Sequence, residues 1–194
     1  MYYNYSRDQT VIPFAEMPAK TFFRQRVTEM KEQGEAVRTV KTVEESETEL
    51  THILFPRNLN DSGRLYGGQL LEWLDELAGI VARRHCGGDA VTASIDHMDF
   101  KAGAKVGDTV YIHGRLTYVG TTSMEVRIDS YVEDIRDGVR HLINSAYFVM
   151  VAVDVEGKPV PVPRIRTDTL SREAEFAAGK RRQELRKLRS REGY

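Results

Sequence analysis

Between residues 67 and 85 the apolar positions recur with the period of an α-helix. At about 100° per residue, Leu70, Trp73, Leu74, Leu77 and Val81 cluster on one side, and Gln69, Glu72, Glu76 and Arg83 lie on the other. Asp75 falls at the margin of the apolar arc. Its stripe carries Gly68, Gly79 and Ala82, with the larger Leu71 at the edge. Small residues around a carboxylate leave volume that a ligand can occupy, so Asp75 reads either as a partly exposed helix acid or as a functional group. Glu76 reads as a solvated surface acid. The segment closes on Arg83-Arg84-His85 and then Gly87-Gly88, a cationic last turn followed by C-terminal glycines.

Strand-like patterning surrounds this helix. Residues 40–55 read as one long strand rich in Thr and Val. Three further strand signals run over 109–119, 123–135 and 139–154, and Asp137-Gly138 between two of them marks a hairpin. One long helix among antiparallel strands is an α+β arrangement. Residues 1–38 form an N-terminal extension in which 21–33 read as a short helix, with Phe23, Val27 and Met30 at helical spacing and Gly34 as its stop. Residues 39–166 form the main domain. Residues 167–194 form a charged, helical tail, whose Arg181-Arg182, Arg186-Lys187 and Arg189 read as a solvated face.

Composition narrows the function classes. The 28 basic and 29 acidic residues nearly cancel, so no global charge steers the chain to nucleic acid. A hydrophobic share of 41% is enough for a core. The one cysteine, Cys86, excludes an internal disulfide and fits a reducing compartment. No apolar run approaches the ~20 residues that span a bilayer. The first eight residues lack the pattern of a secretory signal. The expectation is a cytoplasmic protein with no membrane partner. His52, His97, His113 and His141 fall on strands without metal-ligand spacing, and His85-Cys86 lacks a third group to orient it. Neither a metal nor a redox cofactor is expected.

The polar loop from Asn60 to Gly68 runs straight into the long helix. Gly67 and Gly68 expose backbone N–H groups at a helix N-terminus, where donors lack intrahelical partners and the dipole is positive. Such a place can hold a phosphate or a developing oxyanion. No Gly-Lys-Ser/Thr follows, so this is not a P-loop. A carboxylate two turns along the helix, Asp75, can supply a base to the same site.

These residues resemble a family. Asn60-x-x-Gly63-x-x-x-Gly67-Gly68-x-x-Leu71-x-x-x-Asp75 is similar to the acyl-CoA thioesterases of the hotdog fold. The resemblance is to the group that includes bacterial short-to-medium-chain acyl-CoA hydrolases and the cytosolic hydrolase of animal brain. It continues through residues 91–100, the turn Val106-Gly107-Asp108, residues 118–126 and residues 148–154, then Gly157-Lys158-Pro159 and Val162-Pro163. It covers roughly residues 40–166. Two departures stand out. Thr121 occupies a position where the family usually has Arg, and Ala102-Gly103-Ala104 stands where it usually has Pro.

The resemblance implies an antiparallel sheet wrapped around a long central helix, and an enzyme of lipid metabolism that splits fatty acyl-CoA into free acid and CoA. CoA would enter as part of the substrate. Asp75 would be general base or nucleophile, two roles the sequence leaves open. Asn60 would orient water or the carbonyl, though Asn in a loop also caps its own backbone. The N–H of Gly68, with Gly67, would hold the oxyanion. Asn60 and Asp75 would come from opposite subunits of a dimer, and three dimers would form a hexamer. Thr122 and Ser123 are candidate CoA contacts, or simply strand-initiating hydroxyls. For the CoA phosphates the candidates are Arg57, Arg64, Arg164 and Arg166, with Arg64 favoured by its place between Gly63 and Gly67 and with Lys101, Lys105 and Arg127 in reserve. Two alternatives fit less well. A hotdog hydratase or dehydratase wants His at the loop–helix junction, where Tyr66 stands, and an acyl-CoA-sensing repressor wants a helix-turn-helix that one short helix cannot supply.

Overall fold

The computed structural model describes Tyr2–Asn4, Val11–Pro13 and residues 38–193. The short helix expected over 21–33 lies outside the described residues. Strands β1 (Tyr2–Asn4) and β2 (Val11–Pro13) pair antiparallel. The main sheet contains β4 (Thr48–Ile53), β5 (Asp89–Phe100), β6 (Thr109–Val119), β7 (Ser123–Glu133) and β8 (Arg140–Val153). All its pairs are antiparallel and its order is β4-β6-β7-β8-β5, which leaves β4 and β5 as edges. Helix α1 (Gly67–Cys86) lies against one face. Helix α2 (Leu170–Glu192) crosses the other.

The apolar stripe of α1 makes the core. Leu74, Leu77, Ala78, Val81 and Ala82 have no exposure, and they meet Ile112 and Leu116 of β6, Val126 and Ile128 of β7 and Phe148 of β8. Each such large side chain contributes about 1.5–3 kcal/mol by leaving water. The approach is close at Gly114, where a methyl group would stand 3.0 Å from Leu77 Cγ and 3.2 Å from Val81 Cγ2. At the far end of α1, Gly87 takes a left-handed φ of 68° and its N–H donates to Arg83 O. This is the stop that the terminal glycines predict.

Residues 40–55 do not form one strand. They divide into β3 (Val40–Thr42) and β4, and β3 pairs in parallel with β9 (Arg164–Arg166) in a separate two-stranded sheet. The chain turns between them because Glu45 accepts from Thr42 N–H at 2.8 Å while the N–H groups of Ser46 and Glu47 donate to Val43 O. Val43 and Ser46 are buried in that turn.

The arginine cluster of α2 also differs from the expectation. Arg181 and Lys187 are exposed, but Arg182 and Arg186 turn onto the sheet and bond the carboxylate of Glu125, which is 1% exposed. Arg186 and Arg189 both bond Asp96. Arg115 and Arg127 join Asp129 to Glu175 of α2. Burial works against the charge on Asp129. Hydrogen bonds from Ser145 and Arg127, with the charges of Arg127 and Arg115, nevertheless hold its pKa below the ordinary aspartate value. Gly179 lets the helix sit this close, since a methyl group there would stand 2.6 Å from Tyr118 Cβ.

Candidate active site

The loop that precedes α1 is a small hairpin. Leu59 and Leu65 form an antiparallel bridge, Asn60 N–H donates to Arg64 O at 2.8 Å, and Gly63 N–H donates to Asn60 O at 3.0 Å. Gly63 takes a φ of 71°, which a side chain would resist. Asn60 Oδ1 accepts from Ser62 N–H at 3.0 Å and Arg64 N–H at 3.1 Å, so Asn60 caps its own loop. That leaves its Nδ2 without an acceptor among the described residues, at an exposed position. Leu65 N–H donates to Ala104 O and fastens the hairpin to the segment before β6.

Tyr66, with extended backbone, is the N-cap of α1, and its carbonyl accepts the first helical bond from Leu70 N–H. The N–H groups of Gly67, Gly68 and Gln69 therefore have no backbone acceptor among the described residues. Two half-exposed aromatic rings flank these donors. A methyl group on Gly68 would stand 2.5 Å from Tyr66 Cε1, and one on Gly67 would stand 3.4 Å from Phe100 Cζ. A side chain at 68 would displace the Tyr66 ring, which occupies that space.

Asp75 is exposed at the flank of α1, as the margin of the apolar arc predicts. Thr92 Oγ1 on edge strand β5 donates to its Oδ1 at 2.6 Å. The register of β5 on β8 slips between Thr92 and Ser94, just beyond this contact, as a bulge beside a site does. No local spacing in the sequence ties Thr92, which lies in the strand segment 91–100, to Asp75. What a single chain does not do is bring Asp75 to Gly68. Seven residues of helix separate them by about 10 Å along the axis.

The other candidates scatter. The stem of Arg64 lies against Gly103, where a methyl group would stand 3.1 Å from Arg64 Cδ, and its head is exposed beside the loop that carries Lys101 and Lys105. Arg57 lies over the Phe55 ring at 4.9 Å. Arg164 and Arg166 sit at the opposite end of α1, because His85 Nε2 bonds Pro163 O at 3.0 Å. The helix between them is about 30 Å long, so Arg64 and Arg164 of one chain cannot meet one phosphate. Ser123 Oγ faces Gln183 of α2 at 3.5 Å, on the sheet face away from Asp75. The Thr122 carbonyl accepts from Ala152 N–H at the same turn. Arg127 is committed to Asp129 and Glu175 and drops out of the reserve list.

The histidines have separate surroundings. His52 stacks on Trp73 at 4.1 Å, His97 meets Asp99 at 3.0 Å and His113 meets Glu47 at 2.8 Å. Burial lowers the pKa of His52 and His85 and raises that of Cys86. Among the described residues no group of three or more His, Cys, Asp or Glu is placed to hold a metal ion, and no helix is long and apolar enough to cross a membrane.

A sheet wrapped on one long helix, with free N-terminal donors and a helix carboxylate, defines a hotdog-fold protein with the parts of an acyl-transfer site. Residues 62–139 match the thioesterase superfamily. The uncharacterized acyl-CoA thioester hydrolase YkhA of Bacillus subtilis is 40% identical over 125 residues, 64% of this chain and 73% of that protein. The cytosolic acyl coenzyme A thioester hydrolase of Rattus norvegicus is 36% identical over 143 residues, 73% of this chain and 38% of that longer protein. Among solved structures, an apo-hexameric acyl-CoA thioesterase superposes with a TM-score of 0.75 at 38% identity, covering 78% of this chain and 97% of that one. The acyl-CoA hydrolase of Staphylococcus aureus, in complex with butyryl coenzyme A, coenzyme A and coenzyme A disulfide, superposes with 0.75 at 33% identity, covering 79% and 93%. The chain belongs to the thioesterase superfamily, among the hotdog-fold acyl-CoA thioester hydrolases.

Proposed function

We propose that two copies of this chain together hydrolyse fatty acyl-CoA to free acid and CoA, with Asp75 of one copy working opposite Asn60 and Gly68 of the other. The observation that carries this reading is the Asp75 carboxylate held by the Thr92 hydroxyl at 2.6 Å. The spacing of site residues supports it. The Staphylococcus aureus hydrolase has solved variants in which an Asn, an Asp and a Thr are each replaced by Ala; the Asn and Asp are fifteen positions apart and the Asp and Thr seventeen. Asn60, Asp75 and Thr92 stand at the same fifteen and seventeen.

The chemistry follows two routes with the same donors. As a base, Asp75 takes a proton from the water that attacks the thioester carbon. As a nucleophile, its oxygen attacks and forms a mixed anhydride, which water then cleaves. In both, the carbonyl oxygen gains charge against the Gly68 N–H, the C–S bond breaks and CoA leaves as thiolate. Asn60 Nδ2 is the free donor that orients the water or the carbonyl. The chemistry calls on no cofactor beyond the CoA of the substrate.

The 10 Å between Gly68 and Asp75 in one chain argues for the shared site. Edge strand β5 offers the means: Val91, Ile95 and Phe100 on it are exposed, and an unpaired edge recruits a second copy. Solved neighbours described as hexameric support a trimer of such dimers. Arg64, with Lys101 and Lys105 nearby, would meet the CoA phosphates. A cytoplasmic site of action is in keeping with the one unpaired cysteine and with relatives named cytosolic.

The test is thiol release from acetyl-, butyryl-, octanoyl-, palmitoyl- and aromatic-CoA. Asp75→Asn should lose at least ~10²-fold in kcat with its fold intact. Mixing Asn60→Ala with Asp75→Ala subunits should restore up to about a quarter of wild-type turnover, one intact site in each mixed dimer. Undiminished turnover in Asp75→Asn would overturn the assignment.

A further inference from the structure

Asn58 sits at the base of the hairpin that carries Asn60, and it is 6% exposed. All four of its polar groups are used. Its backbone N–H donates to Phe55 O at 2.9 Å and its carbonyl accepts from Tyr66 N–H at 2.9 Å. Its side-chain Oδ1 accepts from Phe55 N–H at 2.9 Å, and its Nδ2 donates to Gln69 Oε1 at 3.2 Å. Gln69 in turn donates from Nε2 to Glu72 Oε2 at 2.7 Å. The direction of this chain of bonds is fixed at both ends. A backbone N–H can only donate, so the amide oxygen of Asn58 must face Phe55 and its NH₂ must face Gln69. A carboxylate accepts, so the NH₂ of Gln69 must face Glu72.

We infer that Asn58 is a positioning residue for thioester hydrolysis, the buried origin of a side-chain relay through Gln69 to Glu72 that sets the Asn60 hairpin against the Gly67–Gly68 donors. The inference rests on the reading of Asn60 and Gly68 given above. Gln69 belongs to the first turn of α1, whose N–H groups are the free donors, and Asn58 belongs to the loop, so the bond between them crosses the junction of the two parts. Asn58 thus bonds the turn before it at Phe55, the far side of the hairpin's base at Tyr66 and the helix at Gln69. A buried amide that loses one partner leaves polar groups unsatisfied, so the junction is held in one arrangement or not at all. Asn58 touches no reacting atom in this scheme; it acts through the geometry of Asn60 and Gly68.

The direction of the relay makes it testable by reversal. Asn58→Asp keeps the acceptor for Phe55 N–H but presents an acceptor where Gln69 needs a donor. Gln69 then turns over, and its oxygen faces the Glu72 carboxylate. Glu72→Gln supplies a donor at that end and lets the reversed relay close. The measurements are kcat and KM on the acyl-CoA that the wild-type protein hydrolyses fastest, with thermal melting of each variant. Asn58→Asp should lower kcat about tenfold, the loss expected when reacting groups are held loosely, and should leave KM near wild type. In a protein that already carries Glu72→Gln, the same substitution should cost less than about threefold. A role confined to folding would lower the melting temperature without this reversal or the split between kcat and KM. Should Asn58→Asp fail to fold, Gln69→Met decides alone: Gln69 is half-buried on the helix, and its loss should also lower kcat about tenfold. Wild-type kcat in the folded variants, or a double variant no better than Asn58→Asp, overturns the relay. If the wild-type protein releases no thiol from any acyl-CoA, it is the underlying assignment that fails.

Discussion

Replacing Thr92 by Val removes one hydroxyl and little else. The two side chains are branched alike at Cβ, so the strand preference of β5 is preserved. What disappears is the bond from Oγ1 to Asp75 Oδ1, 2.6 Å long and made to a carboxylate. Hydrogen bonds to charged groups contribute about 1.5–3 kcal/mol net. Both residues are exposed in the single chain, so water competes for the carboxylate while the site is open. The loss in ground-state stability should therefore fall at the lower end, about 1.5 kcal/mol or less. In a closed, occupied site water is gone and the bond counts more. If it steadies Asp75 for attack, the loss enters the barrier, and each 1.36 kcal/mol is about tenfold in rate. Thr92→Val should thus lower kcat by about 10- to 150-fold with KM nearly unchanged, the pattern of an interaction realised in the transition state. Thr92→Ser keeps the hydroxyl and should stay within about threefold of wild type. The assay is thiol release under saturating acyl-CoA, with thermal melting to show that each variant is folded. Thr92→Val turning over at wild-type rate, beside an inactive Asp75→Asn, would mean the bond is incidental.

Other perturbations test other parts of the structure. Gly68→Ala puts a methyl group 2.5 Å from Tyr66 Cε1, so the ring must leave its place beside the donors and the first turn of α1 is disturbed; turnover should drop at least about tenfold, whereas Gly79→Ala meets nothing within 4 Å and should stabilise the fold by up to about 1 kcal/mol, read as a higher melting midpoint. Arg64→Ala should raise KM at low salt with kcat unchanged, and the effect should shrink as salt screens the wild-type contact; wild-type KM in Arg64→Ala would move the phosphate site elsewhere. Arg186→Met removes one of the two arginines on each of Glu125 and Asp96, leaving Arg182 on the first and Arg189 on the second, and should cost about 1.5–3 kcal/mol in urea unfolding. Asp96 and Asp129 resist protonation: burial opposes their charge, but the bonds and charges of Arg186 and Arg189 on one, and of Ser145, Arg127 and Arg115 on the other, lower both pKa values below 3.8. Their contribution is therefore present above the ordinary aspartate range and lost as pH falls through the depressed values, so urea midpoints measured at neutral and strongly acid pH should diverge, and should diverge less in Arg186→Met.

The sequence by itself determined the parts whose cause is local. One apolar stripe over residues 67–85 specifies a helix packed on one sheet, and the structure extends it by a single residue to Cys86. The hairpin at Asp137-Gly138 joins β7 to β8, with Gly138 at a φ of 71°. Asp75 at the margin of the arc and the donors of Gly67 and Gly68 follow from helical period and helix ends, properties that neighbours in the chain set among themselves. Tertiary structure alone decided the rest. The break in residues 40–55 depends on β9, more than a hundred residues later, which offers β3 a partner outside the main sheet. Thr92 reaches Asp75 only because α1 lies along edge strand β5, a contact no periodicity encodes. The arginines of α2 look like a solvated face until Glu125 on β7 and Asp96 on β5 come beneath them. Arg64 and Arg164 both read as phosphate candidates in the sequence, with Arg64 favoured, and the length of α1 holds them at opposite ends. In each case the deciding partner lies on a different element, and its distance exists only once the core has closed.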